Sequence, residues 1–164
     1  MPPKIVEIEK YARTALKKWM KKVLADPKLK RRIRGFEGKE WHVDLSVCSA
    51  PKMAAINHGF RKKNYATDVL SFPADEFFQR QGVLGDIVVC APVLIRQARE
   101  AEHSWKHEVD VLLVHGLLHL LHFDHERGPK DEKEMNTWEK KILGATYAKG
   151  LIQRNSFARV PTKH

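Results

Sequence analysis

The sequence predicts a mixed α/β or α+β domain of about four strands and about five helices. Apolar residues recur at a period near four in some stretches and at a period of two in others. The 164 residues are about one domain's worth and long enough for a sizeable core. No repeat, low-complexity linker or change of composition divides them, so one domain over 1–164 is expected, with a basic first helix and a basic C-terminal tail.

Residues 4–9 read as a short opening strand. From Glu9 to Ala25 the pattern is helical: Tyr11, Ala15, Trp19 and Val23 step by four, with Lys17, Lys18, Lys21 and Lys22 mostly on the other face. Asp26-Pro27 breaks it, and a basic run follows from Lys28 to Arg34. Trp41 to Val47 alternates apolar and polar residues as a half-buried strand does. Ala50 to Lys62 reads as a helix with Pro51 in its first turn. Asp68 to Phe72 is a strand ended by Pro73, Asp75 to Gly82 a loop, and Leu84 to Cys90 a further strand. Pro92 opens a helix to about Ser104, a second covers about Lys106 to Leu121, and a last one from Lys130 to Leu143 stops at Gly144.

The formal charge is +10 with histidine neutral, and it is unevenly spread. Residues 1–40 hold 13 Lys or Arg against 5 Asp or Glu, residues 41–144 hold 13 against 15, and residues 145–164 hold 4 against none. An excess at both ends of a near-neutral centre points to a polyanion, nucleic acid first. Cys48 and Cys90 stand alone in strand-like stretches without a CxxC pair. Buried, reduced thiols and a cytoplasmic location are therefore expected. No apolar segment follows Met1-Pro2-Pro3-Lys4, so no signal peptide is expected. Val109 to Phe123 is the most apolar stretch, but Asp110, His115, His119 and His122 interrupt it, and no membrane partner is expected.

Five of the nine histidines fall between 107 and 125. His115 and His119 are four apart, so on a helix both imidazoles point the same way and can meet one cation. A chain that leaves the helix near Phe123-Asp124 and folds back can bring His125 to the same point. His122, seven residues after His115, is the alternative third ligand on a helix that continues. Three neutral imidazoles with an open fourth position describe a catalytic zinc site. In HExxH peptidases a glutamate follows the first histidine as general base; here that residue is Gly116, which argues against a peptidase or amidase. His107, two turns back, reads as structural or surface, and Ser71 has no base partner that would make it a nucleophile.

The stretch from His115 to His125, HGLLHLLHFDH, closely resembles the HGxLHLxGYDH signature of the YbeY family of bacterial endoribonucleases. Thr67 to Pro73 (TDVLSFP) and Leu84 to Ile87 (LGDI) resemble two further blocks of that family, Phe60, Arg61 and Lys63 its YRxKD stretch, and Glu108 a glutamate ahead of the histidines. His122 and Phe123 depart from the family's glycine and tyrosine, and Asn64, Tyr65 and Ala66 from the residues after its arginine. The resemblance implies a small, mostly parallel sheet of about four strands with helices around it. It implies one zinc ion on His115, His119 and His125, and Arg61 as the functional arginine of the cleft. The implied activity is cleavage of single-stranded RNA, in 16S ribosomal RNA maturation and ribosome quality control, with the ribosome or its small subunit as partner and no small-molecule cofactor.

The expected chemistry follows. A zinc ion on three imidazoles lowers the pKa of its water toward about 7, and Arg61 presents a planar fork to the phosphate. Asp124 is either a partner that orients a ligand imidazole or a turn-forming residue. A competing reading is a ribosome-associated binding factor whose metal is mainly structural. The basic ends are expected to hold RNA nonspecifically, with a steep salt dependence.

Overall fold

The computed structural model of the chain describes residues 1–33 and 40–147. Arg34, at the end of the basic run, and the tail from 148 onward lie outside the described residues. The elements run α1 (Ile5–Ala25), α2 (Pro27–Lys30), β1 (His42–Cys48), α3 (Ala50–Arg61), β2 (Val69–Pro73), α4 (Glu76–Gln79), β3 (Val83–Cys90), α5 (Ala91–Glu100), α6 (Trp105–Leu120) and α7 (Pro129–Leu143). Short 3-10 turns at His125–Arg127 and Ala145–Tyr147 complete them.

The mixed α/β class holds, with two corrections to the sheet. It has three strands among the described residues, in the order β1-β3-β2, and it is mixed: β1 runs parallel to β3, and β2 antiparallel to it. The antiparallel pair follows from chain length. Residues 74–82 link β2 to β3, whereas a parallel crossover needs a dozen or more residues. The expected opening strand at 4–9 is instead the first turn of α1. Glu7 accepts a hydrogen bond from the Lys4 backbone N–H at 2.7 Å, which satisfies one of the amides a helix start leaves unpaired. Ile8, fully buried, extends the stripe of Ala12, Ala15, Trp19 and Val23 back by one helical step. The expected loop at 75–82 contains α4, started by Asp75, whose carboxylate accepts from the Phe78 N–H at 3.1 Å. Among the described residues the α-helices number seven and exceed the expected five through α2 and α4.

Strand β3 is central and buried on both faces, which is why it reads as an almost unbroken apolar run. Ile87 and Val89 join the main core with α1 and α6, while Val88 and Cys90 face a smaller cluster with Met53, Leu70 and Val93. Only glycine fits at 85 in the LGDI block: φ is +141°, and a Cβ there would lie 2.1 Å from the Phe72 carbonyl oxygen.

Helix α6 packs against α1, α5, α7 and the sheet. It is apolar nearly all round, as a helix buried on all sides must be. From Val111 to Leu120 only His115 and His119 are not fully buried. Beyond its exposed first turn, the open strip of the central helix is thus the one that carries the histidine pair. No helix among the described residues is long and apolar enough to cross a membrane.

Candidate metal centre

His115 and His119 stand one turn apart near the end of α6, their Nε2 atoms 3.1 Å from each other. The helix stops at Leu121, and the chain reverses through His122, whose φ of +66° is left-handed. That is the conformation a glycine would favour, and histidine is among the residues that adopt it at lowest cost. The reversal carries His125 back onto the pair. One ring nitrogen from each of His115, His119 and His125 lies within 4.8 Å of the others. The ring centroid of His125 is 5.2 Å from that of His115 and 5.1 Å from that of His119.

Two devices hold this turn. Asp124 accepts from the Glu126 N–H at 2.9 Å and pairs with Arg127 at 3.4 Å. The Glu126 N–H bond is the main reason that its carboxyl is held below the ordinary range, with His119, Arg127 and His125 adding to it. Asp124 therefore shapes the turn, and the carboxylate that meets a ligand-type imidazole is another one. Arg32 lies across the end of α6. Its Nε donates to the Leu121 carbonyl at 2.8 Å, its Nη2 to the His122 carbonyl at 3.0 Å, and its guanidinium carbon is 3.8 Å from the Phe123 ring centroid. A cation there answers the carbonyls that a helix end leaves unpaired and stacks on the aromatic that follows.

The carboxylate on the cluster is Glu139 of α7, whose Oε1 lies 2.5 Å from His115 Nδ1. It is buried, on the same helix face as Met135, Ile142 and Leu143. An ionised carboxylate only accepts, so Nδ1 carries the proton and Nε2 presents a lone pair to the cluster. Sequence reasoning missed Glu139. The available signal was an acid on the apolar face of an amphipathic helix.

The donor set fits a metal ion of the zinc type. Two nitrogens about 2.05 Å from a tetrahedral centre stand about 3.3 Å apart, close to the 3.1 Å between the two Nε2 atoms. At that distance the two nitrogens either share an N–H···N hydrogen bond or, with both deprotonated, meet one cation. His125 Nδ1 is buried and has no hydrogen-bond partner among the described residues. A carboxylate behind one imidazole is the usual support for a histidine that binds metal.

The structure does not bring His122 into the cluster. Its Nε2 faces the Gln79 side chain at 3.1 Å, and a groove of about 600 Å³ opens beside it, lined by Arg31, Arg32, Glu76 and Gln79 among others. Partial burial, then Arg32 and Arg127, push the His122 imidazole below its ordinary pKa. Arg61 ends α3, its Nη2 3.3 Å from Glu126, the residue after His125. Gly116 is tightly packed: a Cβ there would meet Ser71 Oγ at 3.0 Å and Ile87 Cδ1 at 3.1 Å, so a larger residue needs these side chains to give by a few tenths of an ångström. The position where a peptidase carries its glutamate is thus a packed glycine, and Ser71 Oγ, buried against it, has no hydrogen-bond partner among the described residues.

Other singled-out residues lie elsewhere. His107 stacks on His103 and tilts against Tyr147. Glu108 is buried beside His103 at 3.1 Å. The Gln97 amide, turned with its nitrogen toward both acids, links Glu108 to Asp68 at 3.1 and 3.2 Å. Asp68 fixes the entry into β2 through the Val69 N–H at 2.7 Å.

Fold and site together define a class: small mixed α/β proteins that gather three imidazoles where a buried central helix ends and turns back. The family within that class follows from comparison with known proteins. The family model described as Endoribonuclease YbeY matches residues 4–147, and the chain belongs to that family. A relative named Endoribonuclease YbeY from Aquifex aeolicus is 39% identical over 127 residues, covering 70% of this chain and 85% of its own. Relatives of the same name from Delftia acidovorans and Bdellovibrio bacteriovorus are 34% and 37% identical, covering 81% and 80% of this chain and 86% and 85% of their own. A solution structure from Thermotoga maritima, 28% identical, covers 93% of both chains at a TM-score of 0.49.

Proposed function

We propose that this chain is a zinc-dependent endoribonuclease specific for single-stranded RNA, working as one domain in the cytoplasm on 16S ribosomal RNA and in ribosome quality control, with the small subunit or ribosome as partner. The observation that carries the reading is the convergence of His115, His119 and His125 within 4.8 Å. Membership of a family whose relatives bear an endoribonuclease name supports it.

A divalent ion on these imidazoles supplies Lewis acidity and a water acidic enough to deprotonate near pH 7. Glu139 holds the His115 ring in the orientation and tautomer that leave Nε2 available to the cluster. The Arg32 bonds and the left-handed His122 set the turn that returns His125. Arg61 stays charged at every working pH, and its fork fits two phosphoryl oxygens. An incoming phosphodiester takes the place of the Glu126 carboxylate at that guanidinium, which brings the scissile linkage to the imidazole cluster. A glycine at 116, where an HExxH peptidase carries its general-base glutamate, disfavours the peptide-hydrolase alternative.

The test is cleavage of a single-stranded RNA by the purified protein, before and after metal removal, beside an Arg61→Ala variant. Chelation should abolish cleavage and zinc should restore it. Arg61→Ala should lower kcat/KM by about 100-fold or more while the protein keeps its metal. Cleavage that survives both changes contradicts the reading, as does a metal-loaded protein that binds ribosomes and never cuts RNA.

A further inference from the structure

We infer that Phe60 is a stacking platform for an unpaired base adjacent to the phosphate at Arg61, and that this ring imposes the selectivity for single strands. The inference rests on the endoribonuclease reading above and adds to it the group that recognises the substrate's bases.

The tryptophans do not supply such a platform. Trp19 is buried, and Trp41, Trp105 and Trp138 pack against the main core. Among the described residues the most exposed ring is Phe60, at 71%. A single exposed apolar residue needs no explanation by itself, but three features set this one apart. The ring is anchored: its centroid is 4.7 Å from that of Phe72, and Phe72 packs on the smaller core of Met53, Leu70 and Val88. One side of it is thus fixed while the rest is open. Three consecutive cations follow, Arg61, Lys62 and Lys63, all exposed. Lys62, at φ +58°, ends α3, and Arg61 reaches Glu126 beside His125. An open aromatic ring and a phosphate-type fork therefore sit on adjacent residues, the fork reaching the residue that follows His125.

A single-stranded polynucleotide offers the complementary pair. It has a base with a free π-face next to a phosphate, whereas a duplex keeps its bases stacked inside. The charge of the Lys62–Lys63 run suits the backbone. A second exposed ring, Tyr65, lies under the Lys63 ammonium at 6.0 Å, and its backbone carbonyl is tied to Asn57 Nδ2 at 2.8 Å. Neutral apolar partners would gain nothing from this clustering of cations.

The experiment measures binding of an uncleavable 2′-O-methyl single-stranded oligonucleotide, and of its duplex, to zinc-loaded wild type, Phe60→Leu and Phe60→Trp. Leucine keeps the contact with Phe72 and removes the π-face. Phe60→Leu should weaken single-strand binding by about 5- to 100-fold and leave duplex binding, zinc content and the unfolding midpoint as in wild type. Phe60→Trp should bind at least as well as wild type. On cleavable RNA, Phe60→Leu should raise KM more than it lowers kcat. Replacing one nucleotide at a time by an abasic residue should locate a position that costs wild type as much as the leucine does and costs Phe60→Leu nothing. Unchanged single-strand binding by Phe60→Leu, or equal losses for strand and duplex, overturns the inference while wild-type cleavage leaves the enzyme reading standing. A wild type that neither binds nor cuts single strands overturns both.

Discussion

The two ends of α6 treat buried polar groups in opposite ways. Near its start, Asp110 is buried among neutral donors: Trp19 Nε1 at 2.8 Å, Tyr147 Oη at 2.9 Å and Tyr11 Oη at 3.0 Å. Burial and this carboxylate raise the Tyr147 phenol to about 12 and push the Tyr11 phenol higher still. Near its end, His115, His119 and His125 turn toward each other, and one carboxylate, Glu139, backs the set. The first arrangement is closed, with every partner inside the protein. The second is arranged around a point that the three rings share. Apolar residues surround both ends, so burial does not separate structure from site. What separates them is whether donors and acceptors complete one another.

Substitutions at the two ends should therefore fail differently. Asp110→Asn turns an amide toward three donors and leaves some of them unpaired, at about 1–3 kcal/mol for each buried group lost. A destabilisation of about 2–4 kcal/mol is expected in denaturant unfolding, with the folded fraction still loaded with zinc. Glu139→Gln should weaken zinc binding by about 10- to 100-fold in a chelator competition and lower RNA cleavage with it, while the apoprotein's unfolding midpoint barely moves. The reverse pattern would erase the distinction.

A smaller effect is expected at Arg32, which joins the N-terminal basic segment to the turn after α6. Arg32→Ala removes two hydrogen bonds to helix-end carbonyls and the stack on Phe123. It should cost about 1–2 kcal/mol of stability and loosen zinc several-fold, because His125 is placed by that turn. If Arg32→Ala weakens RNA binding and leaves zinc affinity unchanged, Arg32 belongs to the basic grip.

The smallest effect concerns pH at the closed end. Burial, and after it His103, hold the His107 imidazole below its ordinary pKa. The unfolded chain then takes up a proton near pH 6.5 while the folded protein does not. The stability from neutral His107 is present above about pH 6.5 and is lost as pH falls from there toward the lower folded-state pKa. Unfolding midpoints of wild type and His107→Phe, compared between pH 8 and pH 5, should diverge less at pH 5 than at pH 8 if the variant packs worse but no longer titrates.

How much of this was legible in the sequence follows from the range of each interaction. The histidine pair is a local feature, fixed by one helical turn, and the motif around it carries His125. The left-handed φ at His122 falls where the family signature has glycine, so the signature hinted at the reversal, whereas the spacing alone left a continuing helix open. Glu139 lies 24 residues from its partner on another helix, and nothing local announces the contact. The direction of β2 was implicit in the short 74–82 link, yet the family resemblance pointed to a mostly parallel sheet. Alternation at Ile5 to Glu9 mimicked a strand because Glu7 was serving the helix start. The basic run is expected to grip a polyanion, but Arg32, though exposed, is tied to the helix-end carbonyls, while the lysines of α1 at 17, 18, 21 and 22 are exposed as expected.

The most direct test compares His122→Ala with His125→Ala, each measured for bound zinc by elemental analysis and for cleavage of single-stranded RNA. The two residues are three apart on one turn, and only the second meets His115 and His119. His125→Ala should lose zinc and cleavage together, and His122→Ala should keep its zinc and most of its activity. Full zinc in His125→Ala with loss of zinc in His122→Ala would contradict the account of the site.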